Sequence, residues 1–199
     1  MPQPASLFSN LDTRSRPVNV TSMLTLTLLR HAKSSWDEPG LGDHERPLAQ
    51  RGLKAAPKVG AALASMGLKP DLVLCSSAVR TRETLSLVLP KFPAPPPQVI
   101  YENAIYMATA AALLMRLRSV EAEHADRMPR HVMLVGHNPG MEELAMLLIG
   151  SGGDDDMTRI AEKFPTCAAA IIAFESDDWA GIDAGAGRLE HFLTPRSLP

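Results

Sequence analysis

Two histidines and two arginines of this 199-residue chain stand just beyond apolar runs of strand length. Arg30-His31 follows residues 24–29, Ser76-Ser77 with Arg80 follows residues 71–75, and Gly136-His137-Asn138 follows residues 132–135. In open α/β sheets the crevice beyond the carboxyl ends of the strands is where ligands bind. Three such ends would bring two imidazoles and two guanidiniums to one pocket, and the helix N-termini after two of the strands would add backbone donors. That set suits an anion. Planar guanidiniums hold phosphoryl oxygens bidentately, and their fixed charge stabilises the negative charge that shifts during transfer. An imidazole is largely neutral at pH 7 and can attack phosphorus, while a second one donates to the phosphoryl oxygens. The chemistry expected is covalent phosphoryl transfer through a histidine. A lone histidine at a strand end is more often a hydrogen-bonded structural residue; three coinciding strand ends tip the balance toward chemistry.

Elements that could position these residues are readable from residue 23 onward. Short apolar runs alternate with longer segments of helical period, the pattern of a largely parallel sheet with crossover helices. Strands are expected at 24–29, 71–75, 99–101, 132–135, 167–174 and 188–193. Residues 48–66 read as helix, with Leu53, Ala56, Val59, Leu63 and Met66 on one stripe and Pro57 kinking it or starting a second segment. Further helices are expected at 78–89, N-capped by Ser77, at 110–119, capped by Thr109, and at 140–149, opened by Pro139. Residues 32–47 form a long polar loop directly after His31, a place where function often resides.

Composition limits the alternatives. Lys and Arg number 20 and Asp and Glu 22, a net charge of −2 that provides no global field for nucleic acid or an anionic membrane. Hydrophobic residues make up 45%, enough for a core, and the length fits one domain. No run approaches the roughly 18 apolar residues of a membrane span. Two cysteines, Cys75 and Cys167, are too few for a disulfide framework or a four-ligand zinc site and point to a reducing, cytoplasmic setting. The domain is expected over 23–194, with a short tail at 195–199. Residues 1–22 read as a disordered tail, with a transit peptide or a true start at Met23 as the other readings.

The segments LLRHAKSSW, DHERPL, LCSSAVRTRET, LVGHNPG and EKFPTCA together resemble the histidine phosphatase superfamily, the fold of phosphoglycerate mutases and acid phosphatases, and more narrowly its SixA-like phosphohistidine phosphatase branch. The resemblance runs from about Leu24 to Leu193. It implies a three-layer α/β sandwich, a mostly parallel central sheet flanked by helices. It makes His31 the nucleophile that becomes phosphorylated, Arg30 and Arg80 the phosphate-binding guanidiniums, and His137 the second histidine, with no cofactor and no metal. The larger superfamily usually has Arg-His-Gly at the first motif. This chain has Arg30-His31-Ala32-Lys33, which favours the SixA-like branch over a mutase and leaves Lys33 as an extra cation at the pocket rim, against the ordinary reading of a solvated lysine. In mutase-like members a Glu after the second motif protonates an oxygen leaving group. Glu102 is the nearby candidate here, although related sequences of the branch place an acid where Asn103 stands.

Three functions follow. A phosphohistidine phosphatase would act on a phosphorylated protein such as a phosphotransfer domain, and short loops would leave its pocket open to one. A phosphatase of small phosphate monoesters or sugar phosphates would need a working acid such as Glu102. A phosphate-binding or partner-docking module would have no need of the nucleophile. Other features take plainer readings. Cys75 and Arg80 are separated by four residues, one short of a cysteine phosphatase loop, and Cys75 reads as a buried strand-end thiol. Asp154-Asp155-Asp156 reads as a solvated turn; His44, His124, His131 and His191 have no partners at metal spacing. Met107, Met115, Met133, Met141 and Met146 read as core filler. Trp36 walls the pocket or packs on the domain, and Asp37, Asp43, Glu45 and Arg46 read as solvated loop charges that could shape substrate choice.

Overall fold

The computed structural model describes residues 23–124 and 127–198; the expected N-terminal tail lies outside them. Seven strands form one sheet: β1 (Met23–Arg30), β2 (Leu72–Ser76), β3 (Gln98–Glu102), β4 (His131–Gly136), β5 (Ile149–Gly152), β6 (Ala169–Glu175) and β7 (Gly187–Leu193). Their order is β3-β2-β4-β1-β6-β7-β5. Pairs β3-β2, β2-β4, β4-β1 and β7-β5 are parallel, while β6 runs against both β1 and β7. The expected α/β class and mostly parallel sheet are thus observed, with β6 the one reversed strand.

Alternation along the strands creates the layers. Leu24, Leu26 and Leu28 of β1 and Val132 and Leu134 of β4 face a core shared with α3 (Ala110–Arg118), α5 (Gly140–Leu148) and α6 (Asp154–Glu162). Leu29, Met133 and Val135 face the opposite core, under α1 (Gln50–Ser65) and α2 (Val79–Val88). A single turn, α4 (Val120–Glu123), follows α3. His131 opens β4 buried on Thr27, its Nε2 2.8 Å from Oγ1, a structural partner rather than a site group.

Several sequence expectations need correction. One helix carries through Pro57, so no second segment starts there. Its buried face is Gly52, Ala56, Val59, Gly60 and Leu63, which leaves Leu53 and Met66 of the expected stripe exposed. Ala78, not Ser77, occupies the N-cap of α2; Thr109 caps α3 as expected, accepting from the Ala112 amide at 3.3 Å. Asp154-Asp155-Asp156 is the first turn of α6, where carboxylates complement the positive end of the helix dipole. Met133 and Met141 are buried, but Met107, Met115 and Met146 are exposed, Met115 to 72%. Ser197 turns back to the Thr194 carbonyl, and Leu198 packs against the α1/α2 core.

The α1 N-terminus braces the backbone beyond His31. The Lys33 carbonyl accepts from the Ala49 amide at 2.9 Å, and a Cβ at Gly52 would collide with that same carbonyl. Gly52→Ala is therefore expected to destabilise the fold by about 1–3 kcal/mol, as overpacking of a tight site does, and to depress activity through the His31 loop. Chemical denaturation checks this; an unchanged midpoint would contradict the close approach.

Candidate active site

Arg30 ends β1, and the chain turns immediately into His31. The His31 amide donates to the Gly136 carbonyl at 3.0 Å, and the Cys167 amide donates to both the Arg30 and His31 carbonyls at 3.1 and 3.0 Å. Cys167 takes a left-handed φ of 62°. Such a conformation costs an L-residue roughly 1–2 kcal/mol. The Ala32 amide donates to Thr84 Oγ1 at 2.9 Å, and that hydroxyl donates to the Arg80 carbonyl at 2.6 Å, tying the His31 turn to the helix that carries Arg80. His137 follows β4, the parallel neighbour of β1.

The two imidazoles meet with ring centroids 5.1 Å apart. His31 is 8% and His137 3% exposed, so the pocket is narrower than short loops alone imply. Nδ1 of His31 donates to the Ala32 carbonyl at 2.7 Å. A carbonyl only accepts, so the proton sits on Nδ1 and Nε2 keeps its lone pair. Nε2 of His137 lies 2.8 Å from Ser76 Oγ, while its Nδ1 is buried with no protein partner. With the Ser76 hydroxyl donating to Nε2, that Nδ1 carries a hydrogen and is a donor awaiting an acceptor. Arg30 donates through one terminal nitrogen to the Phe164 carbonyl at 2.7 Å, and its Nε is likewise buried and unpartnered. Two orphaned donors beside a bare imidazole nitrogen are what a phosphoryl group would satisfy.

Burial is the largest cause of the histidines' shifted acidity. It pushes His31 down to about 4, helped by Arg80, Arg30 and Arg46 and opposed by the bond to Ala32; His137 falls to about 3 through burial, then His31 and Arg80. Both rings are neutral at pH 7. Attack needs the neutral ring, so a lowered pKa extends activity toward acid. The acid limb of kcat/KM, corrected for substrate ionisation, is expected near pH 4. A limb near the ordinary value of about 6.5 would contradict the burial argument.

Arg80 is held by a loop residue read from the sequence as a solvated charge that could shape substrate choice. Asp43, in the one-turn 3-10 helix Asp43–Glu45, accepts from Arg80 through its carbonyl at 2.5 Å and through Oδ2 at 2.8 Å. The same carboxylate accepts from Arg46 at 2.8 Å and from the Tyr106 hydroxyl at 2.7 Å. The Tyr106 hydroxyl is the largest influence lowering its pKa to about 2, with the two arginines adding to it, so Asp43 is ionised throughout the working range. Tyr106 stands edge-on to His137, with centroids 5.3 Å apart, and edge-on to His44. Arg46 is buried, correcting its reading as a solvated charge; it donates to Ser34 and Ser35 and lies 3.2 Å from the ring centroid of Trp36, which is 71% exposed.

The acid candidate lies elsewhere. Both oxygens of Glu102 accept from Arg116 Nε at 2.9 Å, and Arg116 also pairs with Glu123, so this carboxylate belongs to an ion-pair cluster on the α3 flank. Asn103, one residue on, accepts from Ser77, whose hydroxyl also meets His44. Lys33 is exposed in the loop after His31. Burial pushes the Cys75 thiol up to about 12, which agrees with its reading as an inert strand-end residue. Among the described residues no group of three or more His, Cys, Asp or Glu could hold a metal ion, and no helix is long and apolar enough to cross a membrane.

A mixed sheet whose parallel half ends in paired histidines flanked by guanidiniums is the architecture of a phosphoryl-handling α/β enzyme. The family model for the histidine phosphatase superfamily (branch 1) matches residues 26–105, the stretch from β1 through Ile105. The chain belongs to that superfamily, and its fold and site residues support a histidine-phosphatase-type hydrolase. An uncharacterised Mycobacterium tuberculosis protein is 34% identical over 170 residues, covering 84% of this chain and all of the relative. Of solved structures, a candidate phosphohistidine phosphatase SixA from Agrobacterium tumefaciens is 31% identical, with a TM-score of 0.68 over 86% of this chain and 98% of that one. A second, from Nakamurella multipartitia, is 25% identical with a TM-score of 0.70, covering 87% and 97%.

Proposed function

We propose that the protein is a SixA-like phosphatase that hydrolyses the N–P bond of phosphohistidine, with His31 as nucleophile. In the first step His31 Nε2 attacks phosphorus, the bond to the leaving nitrogen breaks, and a phosphohistidine forms on the enzyme. Arg30, Arg80 and the His137 Nδ1–H bind the phosphoryl oxygens through this step. Water then attacks the phosphorus of His31, releasing phosphate and restoring the ring.

The observation that carries the choice of bond is where the carboxylates go. Asp43 is ionised and held by two arginines and a tyrosine, and Glu102 is engaged by Arg116. Neither presents a proton to a leaving group beside the histidine pair. An alkoxide needs that proton from the enzyme. An imidazole has a second ring nitrogen that protonates near neutral pH, so it can leave as neutral imidazole without one.

The test is phosphate release near neutral pH, without added metal, from a phosphohistidine-bearing phosphotransfer protein and from a phosphate monoester side by side, with His31→Ala as control. Fast His31-dependent release from phosphohistidine alone is expected. Preference for the ester would sink the N–P assignment and favour small phosphate esters as substrates. Release from neither would leave a phosphate-binding module. Glu102→Gln is expected to change turnover less than about threefold, whereas loss of a general acid costs roughly 10²-fold or more.

A further inference from the structure

Arg30 also lines a cleft of about 520 Å³ whose other lining residues no step above uses. It sits at the carboxyl ends of β1 and β7, where the start of α1, the end of α6 and the C-terminal turn converge. Six cations line it: Arg30, Lys33, Arg51, Arg159, Lys163 and Arg196, with Glu162 the one acid. The chain as a whole is net negative, so gathering 6 of its 20 basic side chains around one concavity is not a consequence of composition. Arg159 is paired with Asp156 at 2.8 Å. Lys33, Arg51, Lys163 and Arg196 make no ion pair among the described residues. Like charges held together without partners repel one another, at a cost that binding an anion would relieve. Phe192 and Cys167 contribute an apolar, low-dielectric wall that strengthens such attraction.

We propose that this cleft is a second anion site, taking a phosphoryl group of a multiply phosphorylated small molecule. The ligand class follows from shape and charge. The volume falls within the range of about 300–1,000 Å³ typical of small-molecule sites, whereas a protein surface would dock on a flatter face. Several fixed cations around one concavity favour a compact polyanion over a single carboxylate. Arg30 is common to the cleft and the phosphoryl pocket, so charge bound in one is felt in the other. The anion is either that of a separate effector or, where the active site takes small phosphate esters in place of phosphohistidine, a second phosphoryl group of the substrate.

Calorimetry with inorganic tripolyphosphate and with orthophosphate tests this independently of which bond the active site cleaves. Tripolyphosphate is expected to bind wild-type protein at least about tenfold more tightly than orthophosphate. Charge reversal at two exposed positions, Lys163→Glu with Arg196→Glu, is expected to weaken tripolyphosphate at least about tenfold and to leave orthophosphate within about twofold. Arg51→Glu gives an independent variant on a different element, with the same expectation. Equal tripolyphosphate affinity in wild type and charge-reversed variants would overturn the proposal and put the polyanion in the catalytic pocket alone. Kinetics then separate the two sources: purely competitive inhibition by tripolyphosphate means one ligand spans cleft and pocket, and a change in kcat means a separate effector.

Discussion

His31→Ala is expected to lower phosphate release by roughly 10⁴-fold or more, the scale on which loss of a covalent nucleophile acts, while leaving the fold and phosphate binding in place. The second half of that expectation is structural. The His31 side chain makes one hydrogen bond to the protein, from Nδ1 to the adjacent Ala32 carbonyl, whereas the turn itself is held by backbone bonds to Gly136 and Cys167 that alanine preserves. Arg30 and Arg80 are positioned by Phe164 and Asp43, not by the imidazole. A variant that binds phosphate but does not turn over separates the nucleophile from the binding frame. Retained turnover would show that phosphorus is attacked by water or by another residue.

Arg80→Lys is expected to cost about 10²–10³-fold in kcat, comparable to removing one transition-state donor, although charge is conserved. The guanidinium spends two donors on Asp43, one on the carbonyl and one on the carboxylate, and has three left for a phosphoryl group. An ammonium is a point charge with three donors and no fork. Meeting both Asp43 oxygens would leave it one. Asp43→Asn is a second handle on the same contact: it removes the carboxylate charge from Arg80, Arg46 and Tyr106 and should lower kcat in the same direction as Arg80→Lys but by less, because it acts through the orientation of Arg80. An Arg80→Lys enzyme within a few-fold of wild type would mean that charge alone suffices.

The paired histidines and their arginines were legible because Arg30, His31 and His137 abut apolar runs of strand length, Arg80 lies in the first turn of the helix that follows another, and strand ends in a parallel sheet converge. Residues 24–29 and 132–135 became adjacent parallel strands, which brings His31 and His137 together without any further information. The groups that tune the pair were not legible. Asp43 reaches Arg80 across 37 residues and Tyr106 across 63, and nothing local in DHERPL distinguishes a carboxylate that binds arginines from one that is solvated. Glu102 illustrates the converse. Its position at the end of a strand is compatible with the pocket, but Arg116 on the neighbouring helix determines which way the side chain goes, and that pairing exists only in three dimensions. α6 escaped because only Ile160 of its nine residues is buried, too little apolar periodicity to register, and three successive aspartates read equally as a turn or as a helix start.

Direct detection of the phosphorylated enzyme tests the central claim, that the phosphoryl group passes through His31. A phosphohistidine-bearing substrate is mixed with enzyme and quenched in alkali, where phosphohistidine survives, and the modified peptide is sequenced by mass spectrometry. The phosphoryl group is predicted on His31 at Nε2, on the peptide that also carries Arg30, and absent from His31→Ala. Turnover in wild type with no phosphate on His31 at any quench time, or with the label on His137 or on another residue, would contradict the account.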